Sequence, residues 1–379
     1  MRQVERTLTA LDLFCGAGGM SLGFEEAGFE IIAGLDFDTR CIASYSHNFP
    51  RAMAVQADLA QVDGHQLRRL AGLGRRPIDV IIAGPPCQGF SMIGRRRSDD
   101  ERNGLLAHAG RLIRELSPSG FVIENVPGLL QTSAASILNS FIRNMEAAGY
   151  KIAKPLRVLG AEEFGVPQLR RRLFVIGSKS SRTEPAYPAS LYCLKDHSKP
   201  SPPTVAQAIS DLPEVSRISE LIGSDRYFGD LGECGAYARR MRGFSRFTRY
   251  RRGLRSYRNK GLGGCQRTIH TPETVKRFES TEPGKSEPVS RCYRLLEAGL
   301  STTLRAGTDR SRGSFTAVRP IHPLSPRCIT SREAARLHSI PDWFEVDATK
   351  WRGFMQIGNS VPPKLANAVA RSVREVITG

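Results

Sequence analysis

The sequence has no apolar run near the roughly 18 to 20 residues that a membrane-spanning helix needs, and its start, Met1 to Arg6, lacks the apolar stretch of a secretory signal. A soluble, cytoplasmic protein is therefore expected. The 8 cysteines (15, 41, 87, 193, 234, 265, 292 and 328) form no Cys-x-x-Cys pair, and no histidine stands at zinc-finger spacing from two of them. That scatter argues against a disulfide framework or a structural metal; most of these thiols should pack as small buried hydrophobes. Acid is also scarce, with 37 Asp and Glu against 55 Lys and Arg, a net charge of +18. Self-repulsion on that scale is relieved when a polyanion shares the surface, and nucleic acid is the usual one.

What is present is ordinary globular material. Of 379 residues, 40% are hydrophobic and 24% charged, which excludes wholesale disorder and suits two domains or one elaborated α/β unit. No internal repeat or low-complexity segment occurs. The first part alternates strand and helix. Apolar runs at Thr9 to Phe14, Glu30 to Asp36, Ile78 to Ala83, Gly120 to Glu124 and Leu173 to Gly177 read as buried strands. Between them, Leu22 to Ala27 reads as a helix stopped by Gly28. Leu105, Ala109, Leu112, Ile113 and Leu116 have helical spacing, as do Ile137, Leu138, Phe141 and Met145 up to Gly149. Continuous apolar strands separated by amphipathic helices predict a mostly parallel sheet with helices on both faces, binding ligands beyond the carboxyl ends of its strands.

The texture changes near residue 184, where Pro, Ser and Thr accumulate up to 213. From Gly235 to Pro272 there is no acidic residue, while Arg239, Arg240, Arg242, Arg246, Arg249, Arg251, Arg252, Arg255, Arg258, Lys260 and Arg267 alternate with Tyr237, Phe244, Phe247, Tyr250 and Tyr257. Arginine beside aromatics suits phosphate contact and base stacking. Near the end, Thr330 to Glu333 has the form of a capping box opening a helix to His338. Ser360-Val361-Pro362-Pro363 can start a last helix with Leu365, Val369, Val373, Val376 and Ile377 on one face. That face needs an apolar host, and the first domain's sheet is the natural one. The expected division is an α/β part at 1–184, a smaller irregular, basic domain at 185–342, and a segment at 343–379 that returns to the first part.

Four stretches carry chemistry. The turn Gly16-Ala17-Gly18-Gly19 lets a ligand approach the backbone at a helix start, and Asp36, about twenty residues on, is placed for ribose hydroxyls. Ser21 stands where a dinucleotide fingerprint wants a third small residue, which strains a nicotinamide reading. Gly84 to Ser91 puts Cys87 at a strand exit, where a nucleophile over the ligand face would sit, with Pro85 and Pro86 stiffening its approach. Glu124 ends another strand at the same edge; desolvated, its carboxyl could serve as a general acid. Arg170 and Arg172 alternate onto one face before the Leu173 strand, suited to a phosphate or a ring carbonyl.

In these residues the sequence resembles the DNA cytosine-5 methyltransferases. The matching blocks are Asp12 to Gly19, Gly84 to Ser91, Glu124 to Val126, Gln168 to Arg172, Arg332 to Arg336 with Pro341-Asp342, and Gly358 to Pro362, in family order across nearly the whole chain. The resemblance implies a Rossmann-like, S-adenosylmethionine-dependent methyltransferase fold, with catalysis and cofactor binding in 1–184, a target-recognition, DNA-binding domain at 185–342, and 343–379 returning to the catalytic domain. It also implies a covalent mechanism without metal. The Cys87 thiolate would add to carbon 6 of a flipped cytosine, making carbon 5 nucleophilic. Glu124 would hold or protonate ring nitrogen 3, and Arg172 with Arg170 would fix the ring carbonyl.

By the same resemblance, Phe14, Gly16, Gly18, Gly19, Asp36, Phe37, Asp58, Leu59, Pro86 and Leu105 are expected at the cofactor, Asp58 taking the adenine amino group, with Asn359 and Ser360 closing the far side. Gln88, Ser91, Arg95, Arg249, Arg251, Arg252, Thr303 and Leu304 are expected to meet DNA, the loop from Cys87 to Asn103 acting as a lid. Two positions depart from the family pattern: Asp36 where Glu is commoner, and Arg171 where Glu is common. A tRNA-directed relative would share the catalytic blocks, but its Cys-Phe-Thr element is missing here. The implied partners are double-stranded DNA and, functionally but not physically, a cognate restriction endonuclease; a monomer in a prokaryotic nucleoid is expected.

Overall fold

The computed structural model describes residues 6–86, 104–179, 183–243, 261–307 and 319–379. The chain divides into two compact units. The first comprises Met1–Gly160, Arg171–Ser190 and Pro363–Gly379, the second Ala161–Arg170 and Leu191–Pro362. Among the described residues no helix is long and apolar enough to cross a membrane.

The first unit is built on one sheet of eight strands: β1 (Thr9–Leu13), β2 (Glu30–Asp36), β3 (Met53–Gln56), β4 (Val80–Ala83), β5 (Gly120–Asn125), β6 (Lys151–Ile152), β7 (Arg157–Gly160) and β8 (Arg171–Ser178). Their order is β3-β2-β1-β4-β5-β8-β6, with β7 also on β8. The first five pair in parallel, whereas β8 runs antiparallel to β5, β6 and β7. Every residue of β1, β4 and β5 is buried, as their mainly apolar sequences require of strands covered on both sides.

Period-two alternation sorts the side chains. Leu11, Leu13, Ile81, Ala83, Phe121, Ile123, Leu173 and Val175 enter a cluster with Leu67 of α3 (Gly64–Leu70), Leu112 and Ile113 of α4 (Leu105–Leu116), and Phe141 and Met145 of α5 (Thr132–Ala147). On the opposite face, Asp12 meets Ser21 of α1 (Gly19–Glu26), Gly34 lies under Tyr45 of α2 (Thr39–Asn48), and Gly120 lies under Ile377 of the last helix, α11 (Pro363–Thr378). The fold is thus the expected α/β methyltransferase type with helices on both faces. Helix α11 closes on α1: a Cβ on Gly23 would stand 2.4 Å from that of Ala366, and Asn367 Nδ2 donates to Gly23 O at 3.1 Å.

The second unit has little regular structure. Its helices are α6 (Val205–Ile209), α7 (Ala236–Met241), α8 (Pro272–Ser280), α9 (Ser331–Leu337) and α10 (Lys350–Asn359), joined by isolated bridges such as Tyr227 with Leu262 and Ile321 with Cys328. Its apolar clusters are small, Val215, Leu221, Leu262 and Cys265 in one and Phe278, Cys292 and Ile321 in another. Buried ion pairs supplement them. Arg336, fully buried, binds Asp211 at 3.0 and 3.1 Å and Asp342 at 2.5 and 2.7 Å. Arg327 binds Glu333 at 2.8 and 2.9 Å, and the capping box is present, with Glu333 N donating to Thr330 Oγ1 at 3.2 Å. Removing one partner of such a pair would strand a buried charge, which costs about 3–5 kcal/mol.

The expected boundaries need correction. The chain returns to the first unit at Pro363, not 343, because α10 packs on α9 and so stays with the second unit. Residues 161–170, expected in the first part, also belong to the second unit, where Leu169 N donates to Ser301 O at 2.8 Å.

Candidate functional site

At the carboxyl ends of β1 and β2 the backbone is bent into a ligand cradle. Phe14, Gly16 and Gly18 take positive φ of 62°, 55° and 101°. At Gly16 a Cβ would meet nothing within 4 Å, so that backbone stands open. At Gly18 a Cβ would come within 2.2 Å of the Phe49 ring, so glycine is required there both for conformation and for space. Asp36 clamps the turn: Oδ2 accepts from Gly16 N at 2.9 Å and Oδ1 from Asp38 N at 3.0 Å. Burial raises the Asp36 carboxyl above its ordinary range despite those bonds. Phe37, directly after it, is 75% exposed, an apolar face with no apolar cover. Asp58 is exposed beyond β3 and accepts from Ala60 N at 2.9 Å through Oδ1.

Beneath the turn lies a group the sequence reading passed over. Asp12 is buried, its Oδ2 accepting from Ser21 Oγ at 2.5 Å, and Ser21 Oγ lies 2.9 Å from Tyr45 OH. Among the described residues no hydrogen bond reaches Asp12 Oδ1. Burial, with Asp36 nearby, raises the Asp12 carboxyl to about 7. Cys15, inside the turn, is pushed well above the ordinary thiol range by burial and by Asp12 and Asp36, so it is no nucleophile. The signal for Asp12 was its polarity within an otherwise apolar strand, which reads as a buried functional or positioning group.

One strand over, β4 runs out through Gly84, Pro85 and Pro86 toward Cys87. Cys87, Gln88, Ser91 and Arg95 lie outside the described residues. Glu124, near the end of β5, is 7% exposed, and Arg172 Nε of β8 stands 2.7 Å from its Oε1. The antiparallel register brings them together, since Glu124 pairs with Phe174 and Arg172 lies two residues back along β8. Asn125, also passed over as a site residue, donates from Nδ2 to Pro85 O at 3.1 Å and accepts from Val126 N at 2.8 Å. It ties the Glu124 strand to the Pro85-Pro86 loop, a positioning role that an isolated Asn in a motif does not announce.

Other expected site residues fall elsewhere. Arg170 and Arg172, expected on one face, belong to different units. Arg170 lies before β8, in the second unit, fully buried, where Nη1 donates to Leu304 O at 2.9 Å and Nη2 to Gly358 O at 2.8 Å and Ser360 O at 3.0 Å. Those carbonyls engage both terminal nitrogens, so the residue is structural. Leu304 has its side chain in the core and its N–H on Gln168 Oε1 at 3.1 Å. Thr303 Oγ1 donates to Leu169 O at 2.6 Å. The Leu59 side chain is likewise buried in the first unit's core, and its carbonyl accepts from Arg111. Leu105 is half-buried at the start of α4, Pro86 is exposed, and Gly19 is buried at the start of α1. In the second unit, Asn359 is exposed at the end of α10, and Ser360 Oγ donates to Ile357 O at 3.0 Å. Arg249, Arg251 and Arg252 lie outside the described residues.

A mostly parallel sheet with a glycine turn after its first strand and an acid closing the second defines the class of α/β folds that hold nucleoside cofactors. Within that class the comparisons are specific. The model for the C-5 cytosine-specific DNA methylase family matches residues 8–375. The Type II methyltransferase M.XorII of Xanthomonas oryzae pv. oryzae is 44% identical over 367 residues, 97% of this chain and 84% of that protein. M.AgeI of Thalassovita gelatinovora is 31% identical over 98% of this chain and all of its own length. A crystal structure of an E. coli prophage-encoded DNA modification methyltransferase superposes with a TM-score of 0.78 at 33% identity, covering 98% of this chain and 100% of that one. The Entamoeba histolytica methyltransferase EhMeth shares the fold at a TM-score of 0.61 and 14% identity, over 98% of this chain and 99% of its own. This chain belongs to the C-5 cytosine-specific DNA methylase family.

Proposed function

We propose that this DNA methyltransferase modifies carbon 5 of a cytosine turned out of duplex DNA, through a transient bond from Cys87. We also propose that it serves as the modification partner of a type II restriction system, as the names of its relatives suggest. The observation that carries the chemical reading is the buried Glu124–Arg172 pair at 2.7 Å, at the same sheet edge as the loop that leads into Cys87.

The first unit fits S-adenosylmethionine. The open Gly16 backbone admits a ligand, the buried Asp12 and the half-buried Asp36 favour a cation, and the exposed Phe37 ring suits an adenine face. Phe14, Gly16, Gly18, Asp36, Phe37 and Asp58 would hold the group. Bound S-adenosylmethionine supplies the electrophilic methyl that carbon 5 accepts.

The residues do the rest. Cytosine carbon 5 is a poor nucleophile until the ring's conjugation is broken. Addition of the Cys87 thiolate to carbon 6 breaks it, and a proton held by Glu124 at ring nitrogen 3 draws off the developing charge. Arg172 keeps the Glu124 carboxyl oriented and offers its remaining donors to the ring carbonyl. Loss of the carbon 5 proton and departure of Cys87 restore the ring.

Duplex DNA carrying 5-fluorocytosine at the target position, which has no carbon 5 proton to lose, should trap the protein covalently in the presence of S-adenosylmethionine. Cys87→Ala should form no adduct yet bind S-adenosylmethionine within a few fold of wild type. Absence of any adduct with wild-type protein would overturn the mechanism, and label transfer to tRNA but not to plasmid would overturn the substrate.

A further inference from the structure

In the second unit, the stretch from Arg267 to His270 runs beside Arg319 and the first turn of α10. Lys350 Nζ donates to Arg267 O at 3.1 Å, and Arg319 Nη1 lies 3.4 Å from Thr268 Oγ1. The Arg319 guanidinium sits 5.3 Å from the centre of the Phe354 ring, and Phe354 is one helical turn beyond Lys350 on the same face of α10. Two cations therefore flank Thr268. Among the described residues no carboxylate pairs with either, in contrast to Arg327 and Arg336 of the same unit, each matched to two acids. The nearest acid along the chain, Asp347, accepts from Thr349 N at 2.8 Å. The first turn of α10 contains no acidic residue, and its N-cap Thr349 makes no side-chain cap.

The surroundings register the crowding. Burial and then Arg319 lower the Lys350 ammonium below its usual range. His270, whose Nε2 accepts from Cys328 N at 3.2 Å, is held low by burial, Arg319 and Lys350, so it stays neutral and the local charge comes from the two cations. Half-burying like charges side by side is costly for folding alone. An anion bridging them would convert that cost into binding, aided by the uncapped helix start.

We propose that Arg319 and Lys350 grip one phosphate of the DNA backbone, with the Thr268 hydroxyl as a further donor. The assignment rests on the DNA-methyltransferase reading and adds a contact that orients the duplex without reading its sequence.

The test uses the full chain and a labelled random-sequence duplex, with Kd followed from about 50 to about 200 mM salt. Arg319→Ala and Lys350→Ala should each weaken binding several-fold and lower the slope of log K against log salt by about 0.9. Arg319→Lys should keep most of that slope, and Arg143→Ala, which removes the same charge from the exposed side of α5, should leave it closer to wild type. Slopes unchanged in both alanine variants, or lowered equally by Arg143→Ala, would overturn the site. If Arg319→Ala fails to fold for want of its cover over Phe354, Lys350→Gln carries the test alone. Wild-type protein that neither binds DNA nor transfers methyl groups to it would instead refute the functional reading, so the two failures are separable.

Discussion

Asp12 shows how one buried carboxyl can couple stability to pH. Its carboxyl is raised from 3.8 to about 7, mainly by burial, with no cation among the causes. Below pH 4 it is protonated both folded and unfolded, and contributes nothing. Between those two values the unfolded chain has released its proton while the folded chain retains it, so stability falls as pH rises; above about 7 the full penalty, a few kcal/mol at most, is present. Asp12→Asn should therefore flatten the fall in urea midpoint between pH 5 and pH 8. An unaltered pH dependence would mean that Asp12 is not the titrating group. Arg170 and Arg172 separate at the same scale. Arg170→Ala leaves the buried carbonyls of Leu304 and Gly358 without this donor, while Ser360 O keeps His338 Nε2 at 2.9 Å, and should cost about 2 kcal/mol or more, seen as a lower melting temperature. Arg172→Ala also strands a buried partner, Glu124, and should lower the melting temperature, but unlike Arg170→Ala it should depress methyl transfer in the protein that stays folded, because Glu124 is the proposed acid.

At the scale of elements, the sequence announces those whose own residues make the pattern. β2 falls on Glu30–Asp36 as read, and α4 on its periodic apolar face. β3 was not legible because Met53–Gln56 holds a single buried residue at a sheet edge, and β6 because it is two residues long. The antiparallel course of β8 was hidden too, since strand direction is set by connections and not by composition. That course decides the site: antiparallel pairing brings Arg172 to Glu124, and the chain leaves the first unit before Arg170, which simple alternation had placed on the same face. The cradle, by contrast, was legible in its glycines. Gly18→Ala should destabilise by about 1–3 kcal/mol from the positive φ alone, with the Phe49 clash added. S-adenosylmethionine affinity measured by calorimetry should fall with it, and an alanine variant of wild-type stability and affinity would show that the turn tolerates a side chain.

At the scale of the whole molecule, charge is unevenly distributed. The acid-free stretch from Gly235 to Pro272 carries 11 Lys and Arg, so without it the net charge would drop from +18 to +7. A surplus that concentrated acts as a local field, not a uniform one: it draws in a polyanion and releases that polymer's counterions on contact. Each phosphate so neutralised contributes about 0.9 to the slope of log K against log salt. Substituting Arg249, Arg251 and Arg252 together by Ala should therefore lower that slope by between about 2 and 3 if all three meet the backbone. S-adenosylmethionine binding, which depends on carboxylates and glycines of the first unit, should be unchanged. A slope equal to wild type would mean that these arginines face solvent, and the net charge would then have to act through other cations, Arg319 and Lys350 among them.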